Sequence, residues 1–207
     1  MGQLFSVKSP FSQLLSRIVD IVILNFLFIL FCLPIITIGA SSTAIFSVLL
    51  KMVKHEERNI IQSFLISFRR NFFKSTILWL IMAVIGIIVL LDFLFLGNLT
   101  GLVRFLFTSM AFIFGFVYLC SLFFIFPYTA RYEDTIKKSI LNSLLIGMSN
   151  FPYLLALLLM NGLIIFFVFS SDLGFLSGIY FGTFGGFALI AYFNAYLFSK
   201  VFSKYEV

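Results

Sequence analysis

The sequence predicts an all-α fold, a polytopic bundle of about six transmembrane helices, and two observations lead to this prediction. The chain is 62% hydrophobic and 11% charged, with a mean hydropathy of +1.16, whereas a soluble domain is about half apolar and about a quarter charged. The apolar residues also fall in runs near the roughly 20 residues that a helix needs to cross a bilayer. Residues 1–207 are therefore predicted to form one integral membrane domain.

The first apolar stretch, 18–50, is too long for a single span, because a helix of that length would measure about 50 Å. Pro34 lacks a backbone N–H and disfavours helix in the residue before it. Ser41 or Ser42 can then cap a new helix. We therefore expect a short hairpin broken at Pro34, with helices over about 10–33 and 41–54.

Four later apolar runs predict one span each: 72–96, 102–127, 151–171 and 176–198. Two longer connections, 59–70 and 136–148, carry apolar residues at helical spacing with polar residues between them. Each pattern predicts an amphipathic helix along the cytoplasmic membrane surface. Capping residues at similar places also indicate three tandem hairpin units, 9–54, 71–127 and 150–198.

Charge supports six spans over five. With six spans, thirteen of the 14 Lys and Arg residues lie on one side of the membrane, and only Arg104 lies on the other. Positive charge collects on the cytoplasmic side, so we expect a multi-pass cell-membrane protein with both termini in the cytoplasm. The net charge of +6 then reflects orientation and contact with membrane lipids, and no nucleic-acid partner is expected. The thirteen basic residues are Lys8, Arg17, Lys51, Lys54, Arg58, Arg69, Arg70, Lys74, Arg131, Lys137, Lys138, Lys200 and Lys204.

Four charged residues are candidates for polar or ion-pair sites within the membrane. Arg17 and Asp20 are one turn apart, so they can pair on one helix face. The pair either anchors the helix at the interface or forms a proton or ion site, since acidic groups at membrane depth are usually functional. Asp92 and Arg104 flank the turn between the third and fourth spans, where we expect an ion pair, with a solute-contacting pair as the alternative.

Glycines in the last span recur at Gly178, Gly182 and Gly186. Small residues four apart allow another helix to approach closely. We expect that neighbouring helix to come from the same chain rather than from a second copy.

Little in the sequence indicates chemistry. It contains no metal-ligand spacing, nucleotide-binding loop or nucleophile motif, so we expect no metal, no cofactor and no enzymatic activity. His55, the single histidine, lies in a charged turn and is expected to be solvated. Asn25, Asn161 and Asn194 are mid-span amides that we expect to hydrogen-bond between helices.

A series of short motifs runs through the first ninety residues. The motifs are Gly2, Leu4-Phe5, Ser9-Pro10-Phe11, Arg17 with Asp20, Leu33 to Ala40, and Thr43-Ala44, followed by Ser67 to Ile81 and by Asp92. This series is similar to the YesL-like family of small bacterial membrane proteins. That family is uncharacterised, so the resemblance brings no catalytic or ligand residues. Its members often sit near carbohydrate ABC-transporter genes in Gram-positive bacteria, which implies an association with such systems.

These observations lead to two expectations about function. The first is a non-enzymatic accessory protein that docks on a membrane complex such as a carbohydrate ABC transporter. The second is a small transporter or channel, supported by the hairpin repeat, the break at Pro34, and the carboxylates of Asp20 and Asp92. The docking and lipid-facing surface of the first would consist of four basic residues: Arg69, Arg70, Lys137 and Lys138.

Overall fold

A computed structural model describes residues 10–56, 59–98 and 100–206, and it describes their side chains except for residues 10–14 and 98. Lys8 and Arg58, two of the basic residues used to predict the topology, lie outside this part of the chain, as do the family-like residues before Pro10. Within the described residues the chain is helical and contains no strand.

Eight α-helices follow one another along the described chain. They are α1 (Pro10–Cys32), α2 (Ile38–Val53), α3 (Ile60–Phe95), α4 (Gly101–Arg131), α5 (Ile136–Ser149), α6 (Phe151–Phe169), α7 (Asp172–Phe181) and α8 (Phe187–Phe202). A π-turn, Gly182–Gly186, joins α7 to α8, so these two form one span. The described residues then provide six segments long and apolar enough to cross a membrane. The predicted all-α transmembrane bundle of six spans is confirmed.

The break at Pro34 forms as the sequence predicts. Between α1 and α2, a 3-10 turn covers Ile35–Thr37. The Thr37 hydroxyl donates to the carbonyl oxygens of Phe31 at 2.6 Å and of Pro34 at 2.7 Å. The turn therefore supplies its own partners for carbonyl groups that the end of α1 leaves free.

The short helix α2 lies at the centre of the bundle, where it packs against α1, α3, α4 and α8. Its residues Ala44, Ile45, Leu49 and Met52 are all at most 2% exposed. Sixteen residues give α2 a length of about 24 Å, less than the hydrocarbon thickness. The longer spans around α2 cover most of its surface, so few of its side chains face lipid.

Close approach of α2 to α3 depends on small side chains. A Cβ atom at Gly39 would run into the Ser75 carbonyl oxygen and would lie 2.6 Å from the Trp79 Cβ. One turn later, the Thr43 hydroxyl hydrogen-bonds the Ser75 hydroxyl at 2.8 Å, and both residues are fully buried. Small residues four apart bring membrane helices together in this way.

The segment 59–70 differs from its prediction as a separate surface helix, because it forms the first turns of α3. Asn59 caps this helix by accepting from the Gln62 N–H at 3.4 Å. The buried residues of α3 then recur every three or four positions without a break, so one continuous face packs on the bundle. They are Ile60, Phe64, Ser67, Asn71, Ser75, Leu78 and Met82. The second predicted amphipathic segment, 136–148, does form a helix of its own, α5.

The core lies toward one end of the bundle. At this end, which we call the basic end, ion pairs join the ends of α2, α4 and α8 through Lys54, Arg131 and Glu206. Toward the opposite end the spans turn large apolar side chains outward, as at Leu94 and Leu102, which are 74% and 76% exposed. Such exposure is expected where lipid is the solvent, because lipid tails are as apolar as leucine.

Replacing Gly39 by alanine should destabilise the bundle, because the added methyl group meets α3 backbone that cannot move freely. Overpacking of this kind costs about 1–3 kcal/mol. Gly162→Ala in α6 is the matched control, since a Cβ there meets nothing within 4 Å. Thermal unfolding in detergent, followed by circular dichroism, should show a lower Tm for Gly39→Ala and no loss for Gly162→Ala. Equal stability of the two variants would contradict the close contact.

Candidate functional site

The most unusual feature of the bundle is the interruption of its last span. The π-turn at Gly182–Gly186 contains Gly185 with φ +151, a conformation that favours glycine because it has no Cβ. The interruption disturbs the regular ladder of helix hydrogen bonds. Breaks of this kind are often found at functional sites.

Asn25 of α1 satisfies the backbone groups around the interruption. Its Nδ2 donates to the carbonyl oxygens of Gly182 at 2.9 Å and Thr183 at 3.0 Å, and its Oδ1 accepts from the Ala188 N–H at 3.0 Å. The side chain is 0% exposed. An unsatisfied backbone group in hydrocarbon costs several kcal/mol, so a single amide stabilises both edges of the break.

The predicted glycine stripe is divided between two roles. A Cβ at Gly178 would lie 2.8 Å from Val168, so this glycine allows α7 to approach α6 of the same chain. Gly182 and Gly186 instead belong to the π-turn, where an added Cβ would meet the rings of Phe187 and Phe181. The regular spacing therefore reflects one helix contact and one local break.

Beside the π-turn lies a cavity of about 470 Å³ between α6, α7 and α8. Most of its lining is apolar, including Phe28, Ile165 and Ile190, and the amides of Asn161 and Asn194 also line it. Pockets of about 300–1,000 Å³ with few polar groups are typical of ligand sites. The cavity is therefore the best candidate for a binding site within the membrane.

Asn161 and Asn194 bind each other across the cavity wall, as the sequence predicts for mid-span amides. The Asn161 Nδ2 donates to the Asn194 Oδ1 at 3.1 Å, and the Asn194 Nδ2 donates to the Asn161 Oδ1 at 3.3 Å. Asn161 also donates to the Leu157 carbonyl oxygen at 2.7 Å. The pair joins α6 to α8.

Arg17 contacts one helix other than its own and the turn that follows α2. Its guanidinium donates to the Tyr192 hydroxyl of α8 at 3.2 Å and lies 2.5 Å from Nδ1 of His55. Arginine can only donate, so this histidine nitrogen accepts. His55 is exposed, as expected for a solvated residue, but it also takes part in this contact. The pairing of Arg17 with Asp20 one turn along stays a prediction.

Among the residues that the structure describes, no ion pair joins Asp92 to Arg104, in contrast to the expectation. Asp92 lines a second cavity, of about 340 Å³, with Phe107 and Met110 of α4. Arg104 lies nearer the start of α4 than these residues and is exposed. The reason is an offset between the helices: α3 continues to Phe95 and a 3-10 turn follows it, so Asp92 faces α4 residues beyond Arg104.

The four predicted docking residues all lie near the basic end. Arg69, Arg70, Lys137 and Lys138 are exposed. Arg70 forms an ion pair of 3.2 Å with Glu133, which ties α3 to the turn between α4 and α5. We call these four residues the docking surface, after the role that the sequence predicts for them.

A polar cluster that the sequence did not reveal fixes the start of this turn. The Tyr128 hydroxyl donates to Asp134 Oδ2 at 2.5 Å, and the Asn142 Nδ2 donates to the Tyr128 hydroxyl at 2.7 Å. The three residues come from α4, the turn and α5, and no spacing rule relates them. The cluster sets the direction in which α5 leaves α4.

The C-terminal residues form a second polar cluster at the basic end. Glu206 binds Arg131 Nε at 2.6 Å and Lys54 Nζ at 3.2 Å. The hydrogen bond from Arg131, with a further contribution from Lys54, holds the pKa of this carboxyl below its usual value. Burial raises the pKa of the neighbouring Tyr132 hydroxyl, and the Glu206 charge raises it further.

Asn150, at the end of α5, also holds this segment. It donates to the Tyr205 hydroxyl at 2.8 Å and accepts from Lys204 Nζ at 3.0 Å. No group of three or more His, Cys, Asp or Glu side chains within the described residues is placed to hold a metal ion.

Comparison with known proteins gives two likenesses. Residues 21–93 match the family described as "Protein of unknown function, DUF624". The chain is also similar to "Uncharacterized protein YteU" of Bacillus subtilis (strain 168), with 26% identity over 132 residues, 63% of this chain and 59% of that protein. The chain thus matches less than two thirds of this relative's length. No solved structure matches it. The family match covers Asn25 and the contact between α2 and α3, but neither likeness names an activity.

Replacing Asn25 by alanine should destabilise the bundle more than replacing Asn161, because only Asn25 satisfies three backbone groups at a break. We expect a loss of about 1–3 kcal/mol. Asn25→Asp keeps the size and the bond from Ala188 but loses both donated bonds, so it should also destabilise. Thermal unfolding in detergent provides the measurement. A larger loss for Asn161→Ala than for Asn25→Ala would contradict this role.

Proposed function

We propose that this chain is a non-enzymatic accessory protein of the cell membrane, with both termini in the cytoplasm, that docks on a partner membrane complex. The observation that carries the proposal is the docking surface. Its four basic residues lie on two helices at one end of the bundle, and exposed positive charge of this kind fits an acidic partner surface. The positive-inside rule supports a cytoplasmic location for that end.

The dense packing of the bundle interior supports a role in protein interaction over a role as a channel for solutes. The central helix α2 is packed on several sides, and core residues such as Leu24, Leu49 and Phe198 are at most 1% exposed. A dense core at the basic end gives the docking surface a rigid base, and rigid elements hold interaction sites more accurately than loops.

A carbohydrate ABC transporter is the partner that we favour. The support is the resemblance of the first ninety residues to the YesL-like family, whose members often sit near genes for such transporters. The partner would present acidic residues to Arg69, Lys137 and Lys138. Anionic lipid headgroups would surround the complex and contact the same end of the bundle.

Reversing charge on the docking surface should separate the protein from its partner. We expect Lys137→Glu with Lys138→Glu to reduce recovery of a photo-crosslinked partner at least about tenfold, since like charges at an interface cost several kcal/mol. Crosslinks would be formed from a reactive residue at position 69 in native membranes. Arg104→Glu, at the opposite end, is the matched control and should leave recovery unchanged. Recovery of the protein alone under gentle detergent would overturn the proposal.

One observation favours a second candidate, a small transporter. Transporters often bind substrate where a membrane helix is discontinuous, and here the break at Gly182–Gly186 adjoins the cavity that contains Asn161 and Asn194. In this role the cavity would open to water on each side of the membrane in turn.

Cysteine labelling distinguishes this candidate from the first. In a background with Cys32→Ser and Cys120→Ala, a transporter should allow a membrane-impermeant thiol reagent to label Ile190→Cys from both sides. Leu159→Cys, which is 56% exposed and does not line the cavity, is the lipid-facing control and should not react. If Ile190→Cys is labelled from neither side, the transporter candidate fails.

A further inference from the structure

The site formed by Lys54 and Arg131 holds a carboxylate in this structure. Lys54 follows the end of α2, and Arg131 is the last residue of α4. Each cation binds a different oxygen of Glu206: Arg131 Nε lies 2.6 Å from Oε1, and Lys54 Nζ lies 3.2 Å from Oε2. This arrangement suits a planar group with two oxygens, and hydrogen bonds between charged groups are stronger than neutral ones.

A third polar group lies near Arg131 and Glu206. Tyr132 follows Arg131, and its hydroxyl is buried without a hydrogen-bond partner among the described residues. Its ring packs on Phe202, with centroids 5.6 Å apart, which places it where the C-terminal segment leaves α8. A buried hydroxyl without a partner is costly, so the site has hydrogen-bonding capacity that Glu206 does not use.

The segment that carries Glu206 is held at the surface by polar contacts. After Phe202, residues 203–206 are exposed, and besides the Glu206 ion pairs they are held by the Asn150 hydrogen bonds and by Lys204 over the Tyr153 ring at 4.7 Å. The ion pairs of Glu206 are partly exposed, with 24–32% of each side chain accessible, and solvent weakens pairs that it can reach. Another carboxylate can therefore displace Glu206 without unfolding a buried element.

The site lies close to the docking surface along the chain. Arg131 is two residues before Glu133, which pairs with Arg70, and six residues before Lys137. A partner that contacts Arg70 and Lys137 would thus lie next to the carboxylate site.

We propose that Lys54 and Arg131 form a binding site for an acidic segment of a partner protein, and that Glu206 occupies this site until the partner displaces it. The inference rests on the proposed docking function and names the chemistry of its partner. Glu206 then acts as an internal competitor, because a tethered ligand has an effective concentration near the millimolar range. The docking surface attracts the partner, and the carboxylate site recognises it.

The test uses the full-length chain with Glu206→Gln in phosphatidylcholine nanodiscs. The probe is a pentapeptide with the sequence of residues 203–207, amidated so that glutamate is its only carboxylate. Saturation-transfer NMR, which detects weak binding, should show at least about tenfold more bound peptide for Glu206→Gln than for the wild type, since the tethered competitor is gone. The same peptide with glutamine in place of glutamate should not bind.

Two further variants separate a binding site from a structural anchor. Arg131→Gln added to Glu206→Gln should abolish peptide binding, and Arg131→Lys should restore part of it. Thermal unfolding shows whether each variant is folded. Equal peptide binding by wild type and Glu206→Gln, or binding unaffected by Arg131→Gln, would overturn the proposal and leave the ion pairs as an anchor for the C-terminal segment.

A change in the lipid of the nanodiscs tests whether lipid phosphate, rather than a protein carboxylate, occupies the site. Peptide binding that disappears when phosphatidylglycerol replaces phosphatidylcholine would assign the site to lipid phosphate and overturn a protein partner. A negative result in the peptide experiment can be told apart from a failure of the docking proposal. The peptide experiment needs no native partner, whereas crosslinking from position 69 does not involve Lys54 or Arg131.

Discussion

The structure depends on one constraint, which is that hydrocarbon provides no hydrogen-bond partner for the backbone. A helix satisfies its backbone N–H and C=O groups internally, so the chain folds as successive helices. The last span departs from it at Gly182–Gly186, and there Asn25 supplies two donors and one acceptor. The contact joins the first span to the last, two segments far apart in sequence. The break can persist in lipid because a side chain from another helix replaces its lost backbone bonds.

Packing around α2 follows from a related limit. Lipid exerts no hydrophobic force that drives membrane helices together, so close contact must come from shape and hydrogen bonds. Gly39 and Thr43 provide both where α2 meets α3. The residues Leu33 to Ala40 and Thr43-Ala44, which resemble a bacterial family, thus include this contact. The contact gives that motif a structural role.

The basic end combines rigid and exchangeable parts. Buried aromatic rings such as Phe124 and Phe198, with centroids 5.1 Å apart, fix the helices beneath it. Above them the C-terminal segment is held by partly exposed ion pairs and by hydrogen bonds to the side-chain amide of Asn150. The buried rings and the surface ion pairs are thus separate sets of residues, and under our proposal a partner competes for Glu206 while the bundle stays folded.

The sequence alone determined the fold class, the six spans and the break at Pro34, because hydrophobic length, proline and charge act locally. It also identified Asn25, Asn161 and Asn194 as residues that bond between helices. Only the tertiary structure showed which groups they bind, that 59–70 continues into α3, and that Asp92 and Arg104 do not pair. The break at Gly182–Gly186 was missed, since a glycine stripe has the same spacing whether it packs a helix or interrupts it. The carboxylate site was missed because Lys54, Arg131 and Glu206 meet only when three helix ends come together in space.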